Sequence, residues 1–359
     1  MSKFLQEKLQ KLNVYTPGEQ PQDMIYTKLN TNESPYPAAP EVVAAIDCRQ
    51  LEDLRLYSDP ECKPLIQKLA ETYQVQPENV FVSNGSDDIL NFAFMAFSGI
   101  PGKAMFPDIT YGFYQVFADL YQVQATLVPL KDDFSIDYKE YLNQDQMIVL
   151  ANPNAQVGRA LPLWQMEEII ASNPDHVVVV DEAYVDFGAE SCVPLTKKYD
   201  NLLVVQTFSK SRSMAGARLG FAIASRGLIE DLNRIKYSTN PYNINRLTMA
   251  CGVAALCADS YYADNCRKIQ KSRAWTTNAL EHLGFQVIPS QANFVFAAHP
   301  HCDGEFLYRQ LKSRGILVRH FTGNRICNYN RITIGTQEQM ELLVQTISQI
   351  LEEYTYANS

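Results

Sequence analysis

Short runs of apolar, often β-branched residues alternate with longer amphipathic stretches through the middle of the chain, which is the rhythm of a βαβ array. Asn79 to Val82, Met147 to Ala151, His176 to Val180, Asn201 to Thr207 and Gly220 to Ala224 are predicted strands. Several are apolar on both faces, as parallel strands buried between helix layers must be. Between them, Asp59-Pro60 starts a helix that reaches about Tyr73, Ser86 opens one through Phe97, and Leu161 to Ala171 reads as a third. From about Arg246 the texture turns to long helices, notably Tyr262 to His282. Shorter strands follow near Phe285 to Ile288, Asn293 to Ala297 and Arg331 to Ile334. The pattern predicts an α/β fold: a large domain over 45–260 with a mostly parallel sheet between helices, and a smaller α+β domain built from 1–44 and 261–359, with an N-terminal arm.

Composition narrows the partners. The 359 residues are 46% hydrophobic and 20% charged, which suits a folded chain and excludes a disordered or collagen-like one. Thirty-one Lys and Arg against 40 Asp and Glu give a net charge of −9, with no block of five basic residues, so neither nucleic acid nor an anionic membrane is an expected partner. Apolar runs such as Val177 to Val180 and Cys251 to Cys257 fall far short of the roughly 20 residues that cross a bilayer. The polar amino terminus lacks the apolar core of a secretion signal, so a cytoplasmic location is expected. Eight dispersed cysteines with no Cys-x-x-Cys, and five histidines with no His-x-x-x-His, predict free thiols and no metal site.

In open α/β sheets, ligands bind beyond the carboxyl ends of parallel strands. After Val82 comes Ser83-Asn84-Gly85-Ser86-Asp87-Asp88, a small-residue turn feeding a helix. Its free N–H groups and dipole suit a phosphate, although a capped βα turn explains the same residues. The run Val177 to Val180 ends in Asp181-Glu182-Ala183-Tyr184, a carboxylate at the mouth of a buried strand that needs a cationic partner. A lysine or arginine would serve, and so would the ring nitrogen of a pyridinium. At ~4 Å and an effective dielectric of ~20, the latter pair is worth on the order of 4 kcal/mol. After the next apolar strand comes Thr207-Phe208-Ser209-Lys210, followed by Arg212 and Arg218. An amine that attacks a carbonyl needs its pKa lowered by nearby cations, which makes Lys210 a candidate Schiff-base lysine; a solvated lysine is the plainer reading.

Together these segments resemble the pyridoxal-phosphate enzymes of the aspartate-aminotransferase fold type, and within them the histidinol-phosphate aminotransferase family. The resemblance spans nearly the whole chain: Leu29-Asn30-Thr31-Asn32-Glu33-Ser34-Pro35-Tyr36, Leu56-Tyr57-Ser58-Asp59-Pro60, Asn84-Gly85-Ser86-Asp87-Asp88, Asp181-Glu182-Ala183-Tyr184, Ser209-Lys210 and Arg331-Ile332-Thr333-Ile334-Gly335, in that order. It implies a seven-stranded, mostly parallel sheet and pyridoxal 5'-phosphate as cofactor. Lys210 would hold the cofactor covalently and move the proton between substrate Cα and the cofactor, and Asp181 would pair with the pyridinium nitrogen. Tyr184 would bond the ring's phenolic oxygen and Tyr111 would stack on its face. Gly85, Ser86, Asp87, Ser209 and Arg218 would hold the phosphate, with Tyr57 reaching it from a second subunit of a homodimer. Arg331 would receive the anionic group of each substrate, carboxylate or phosphate, joined by Arg319. Tyr15 and Asn32 would form a strap over that pocket. Core packing explains the tyrosines, and surface salt bridges the arginines, if the resemblance is set aside.

One departure stands out. Family members commonly read Pro-Asn-Asn-Pro-Thr-Gly where this chain has Pro153-Asn154-Ala155-Gln156-Val157-Gly158. The amide that contacts the ring oxygen then falls on Ala155, which leaves Asn154 as the neighbouring substitute. The implied activity is amino-group exchange between histidinol phosphate or imidazole-acetol phosphate and glutamate or 2-oxoglutarate, in histidine biosynthesis. An aromatic or broad-specificity aminotransferase is the nearest alternative; a phosphoamino-acid decarboxylase and a non-catalytic cofactor-binding regulator follow.

Overall fold

The computed structural model of the chain describes residues 2–10, 12 and 14–358. Its strands are β1 (Thr27–Lys28), β2 (Val80–Ser83), β3 (Lys103–Pro107), β4 (Gln124–Val128), β5 (Met147–Ala151), β6 (Val178–Asp181), β7 (Leu202–Thr207), β8 (Gly220–Ala224), β9 (Gln286–Ile288), β10 (Phe294–Ala298), β11 (Ile316–Leu317), β12 (Arg319–His320) and β13 (Tyr329–Thr333). Seven of them form one sheet in the order β2-β8-β7-β6-β5-β3-β4. Only β8 runs against its neighbours; the other pairings are parallel.

The two-residue period of a strand divides this sheet's side chains between two cores. Val178, Val180, Leu202 and Val204 pack on one face, while Val179, Leu203 and Val205 pack on the other. Both faces are thus covered, and the sheet follows the continuous apolar runs of the sequence. Two strands carry weaker signals. In β4, at the sheet edge, only Val128 is buried, and β3 begins on the half-exposed Lys103.

The helix expected from Pro60 begins instead at Lys63. Cys62 adopts a left-handed φ of 49°, and the Asp59 carboxylate accepts hydrogen bonds from the Glu61 and Lys63 amides, so an Asx turn occupies the intervening residues. The helix Ser86–Phe97 forms with its expected bounds.

A second sheet, β12-β13-β10-β9, is antiparallel throughout. Residues from the helices Asp259–His282 and Gln337–Asn358 join its strands in one apolar cluster. β1 pairs in parallel with β11, fastening the N-terminal segment to the C-terminal part of the chain. Among the described residues, no helix is long and apolar enough to cross a membrane, no cluster of metal-ligand side chains forms, and all eight cysteines are free.

Candidate active site

Strand register brings the chemistry together. Gly220 of β8 lies opposite both Ser83 of β2 and Thr207 of β7, so the turns after those two strands sit side by side. Asp181 ends β6 opposite Val205. A Cβ on Gly220 would lie 2.4 Å from the Ser86 nitrogen, and one on Gly85, whose φ is +87°, would lie 2.7 Å from the Arg218 guanidinium. Glycine at both places lets the helix N-terminus, the Ser209-Lys210 turn and Arg218 converge.

They open into one cavity of about 500 Å³. Its wall includes Ser86, Asp87, Asp181, Tyr184, Ser209, Lys210 and Arg218 from the large sheet's loops, Tyr111 beside them, and Tyr15, Asn32, Arg319 and Arg331 from the N-terminal segment and the second sheet. Lys210 Nζ donates to the Thr31 carbonyl at 3.1 Å and lies 5.7 Å from the centre of the Tyr184 ring.

Asp181 is 4% exposed. Burial pushes its carboxyl up to about 6, while the Tyr114 hydroxyl and the Ala183 amide, donating to its two oxygens at 2.8 and 3.1 Å, pull it back. Tyr114, in the helix Phe113–Tyr121 and packed edge-on against Tyr111, is the main site residue the sequence reading missed; its place just after Tyr111 was the only local signal. Glu182 faces away from the cavity, held by Ser191, the Cys192 amide and Gln206, and burial raises its carboxyl to about 7.

At the helix N-terminus the two acidic residues divide. Asp88 turns toward Ser83 and Asn243. Asp87 accepts from the Tyr111 hydroxyl at 2.7 Å and from Arg218 at 3.1 Å, so Arg218 neutralises it and the amides of the first turn stay available. Tyr111 therefore lines the cavity with its hydroxyl already committed. Asn32, buried with a left-handed φ of 56°, donates to the Tyr184 hydroxyl at 3.0 Å and accepts from Thr333, which ties that ring to the second sheet.

Arg331 reaches the cavity from β13. One Nη donates to the Ala155 carbonyl at 2.8 Å and the guanidinium lies over Phe294 and Phe321. Its Nε is buried without a partner, and burial lowers its pKa.

Two expectations need correction. Asn154 is not on the cavity wall. Its amide donates to the Ile109 carbonyl while its oxygen caps the amides of Gln156 and Val157, so Ala155 and Gln156 face the cavity in its place. Arg212 points away from Lys210, buried between Phe208 and Tyr262 and paired with Asp259. Arg319 lines the cavity with Arg331, and its guanidinium also donates to the Thr16 and Pro17 carbonyls, so it fastens the strap. Tyr57, expected to act from a second subunit, is 80% exposed and stacks on Tyr242 off this chain's own cavity wall. Gly85 also lies behind the wall, where it shapes the turn.

A lysine and a buried aspartate at adjacent strand tips of a parallel sheet are the arrangement that the resemblance to pyridoxal-phosphate transferases implies. The sequence matches the profile of aminotransferase class I and II over residues 24–347, and the chain belongs to that family. Within it the curated relatives are more particular. A histidinol-phosphate aminotransferase of Brachyspira hyodysenteriae is 50% identical over 98% of this chain and 100% of its own length. One from a Marinomonas species is also 50% identical, over 97% and 99%. Among solved structures, the Sinorhizobium meliloti histidinol-phosphate aminotransferase in complex with pyridoxal-5'-phosphate has the same fold, with a TM-score of 0.86 at 23% identity over 98% of this chain and 99% of that one.

Proposed function

We propose that this chain transfers the amino group between histidinol phosphate or imidazole-acetol phosphate and glutamate or 2-oxoglutarate, in histidine biosynthesis, with pyridoxal 5'-phosphate held at Lys210. The observation that carries this is one cavity with Lys210 and Asp181 at its sheet end and, at the other, the Arg331 guanidinium, whose Nε has no partner among the described residues. The relatives' shared name supplies the substrate.

The residues fit the cofactor. The close approach allowed by Gly85 and Gly220 leaves a cradle of first-turn amides, Ser209 and Arg218 for a phosphate. Asp181 is a buried carboxylate with no cationic side chain bonded to it, a site that a protonated ring nitrogen would complete. When bound, the cofactor supplies an electron sink for the negative charge that develops at substrate Cα.

The protein's own groups do the rest. Lys210 would hold the cofactor and, once released, would carry the proton between substrate Cα and the cofactor's C4′ carbon. Asp181, kept in place by Tyr114 and the Ala183 amide, maintains the ring nitrogen's charge. Tyr184, oriented by Asn32, donates to the ring oxygen. Arg331 binds substrate carboxylate or phosphate through the same planar fork, so one pocket serves both half-reactions. The strap fastened by Arg319, with Tyr15 stacked on Phe113 at 4.3 Å, excludes water from the charged pair.

Tyr57, far from its own cavity wall, is assigned to the site of a second copy, and the exposed Val43, Leu51, Leu54 and Leu56 nearby in sequence are assigned to that homodimer's interface. The large domain is taken as 45–260, the smaller as 1–44 with 261–359, and the enzyme as cytoplasmic. Purified protein incubated with glutamate and imidazole-acetol phosphate should form 2-oxoglutarate and histidinol phosphate in equal amounts; no exchange would defeat the reading. Carbon dioxide release would mark a decarboxylase instead.

A further inference from the structure

Gln156 stands where family members commonly carry proline, and nothing above gives it a task. It lines the cavity and is 8% exposed. Its backbone amide is taken by Asn154, but among the described residues its side-chain amide has no hydrogen-bond partner. An amide on the cavity wall with no protein partner is free to bond a ligand.

Its neighbours in the chain fix which end of the cavity it serves. The Ala155 carbonyl, one residue before, accepts from Arg331. Val157, one residue after, belongs to an apolar cluster with Ile109 and Phe296, against which Phe321 and Ile326 pack. Ile109, Phe321 and Ile326 are themselves on the cavity wall. Gln156 therefore lies at the substrate end, beside the anion-binding arginine and next in the chain to an apolar cluster.

An amide both donates and accepts. An imidazole offers it an N–H on one side or an unprotonated nitrogen on another, either of which the amide can meet, and a phenyl ring offers neither. We infer that Gln156 recognises the heteroaromatic nitrogen of the substrate, and so selects an imidazole over a carbocyclic aromatic side chain. This rests on the proposed substrate and deepens it.

The test compares histidinol phosphate with phenylalaninol phosphate, which keeps the amine and phosphate but lacks ring nitrogens, in wild type and in Gln156→Met. Wild type should prefer histidinol phosphate by about tenfold or more in kcat/KM, the size of one hydrogen bond's discrimination. The methionine variant should shrink that preference to about threefold or less, with the visible absorption of the bound cofactor unchanged. A variant that keeps the full preference, or one whose cofactor band shifts because the amide contacts the cofactor, overturns the assignment. If Gln156→Met does not fold, a wild-type preference well below tenfold still overturns it, and a larger one supports it. Absence of any turnover of histidinol phosphate by wild type would defeat the proposed function instead, a distinguishable result.

Discussion

The two ends of the cavity are built differently. At the sheet end, Asp181, Ser209 and Lys210 sit at the tips of adjacent buried strands, held by Ala183 and Thr207 nearby in sequence and by Tyr114 and Thr31 from further along the chain. At the opposite end the wall is assembled from remote segments: the strap from Tyr15 to Gly18, Asn30 to Glu33, Gln156, and the residues from Arg319 to Arg331. The first arrangement places reacting groups rigidly. The second gathers groups that read the substrate, several of them held by contacts spanning much of the chain, such as Asn32 to Thr333 and Arg319 to Thr16. Changes at the sheet end should therefore act on the chemical step, and changes at the far end on affinity and choice of substrate.

Lys210→Ala should produce the largest effect, a loss of turnover on the order of 10⁴-fold or more together with the visible band of the lysine-bound cofactor, since acid–base and covalent roles fall together. Asp181→Ala should lower kcat by about three orders of magnitude, the equivalent of a ~4 kcal/mol ion pair, with little change in KM. Arg331→Ala should raise KM for histidinol phosphate and glutamate alike by roughly 10- to 100-fold, as befits a charge-assisted fork. A fall in kcat alone would blur the division between the two ends.

The pH dependence sharpens it further. An unfolded aspartate ionises near 3.8, whereas buried Asp181 does so near 6. The folded form therefore holds the extra proton between these values, and cofactor-free protein loses stability as pH rises from about 4 to 6. Asp181→Asn, freed of cofactor, should be more stable than wild type by about 3 kcal/mol at pH 8 and show no advantage below pH 4, read from denaturant midpoints. A gain independent of pH would show that something other than charge burial is responsible. The smallest effect is expected from Arg319→Met, which releases the strap without touching the anion site: a severalfold rise in KM with kcat nearly kept.

The same contrast explains what could be read in the sequence. Strand tips were legible because a buried parallel strand is a continuous apolar run, and a charge or lysine immediately after it stands out, as at Asp181 and Lys210. Partners at a distance were not. Nothing local shows that Asn154 closes its own turn, that Arg212 is drawn away to Asp259, or that the Tyr111 hydroxyl is already spent on Asp87. β4 escaped notice because an edge strand with one buried residue lacks the apolar run that marks β6 and β7. The strap was recognisable as a segment, but Arg319 as its fastener was not, since that bond joins residues about 300 positions apart.

The central claim is the covalent tether at position 210. Borohydride reduction of the yellow protein followed by peptide mass spectrometry should place a single pyridoxyl phosphate adduct on the ε-amino group of Lys210. A label on another residue, or no label at all, would contradict the account.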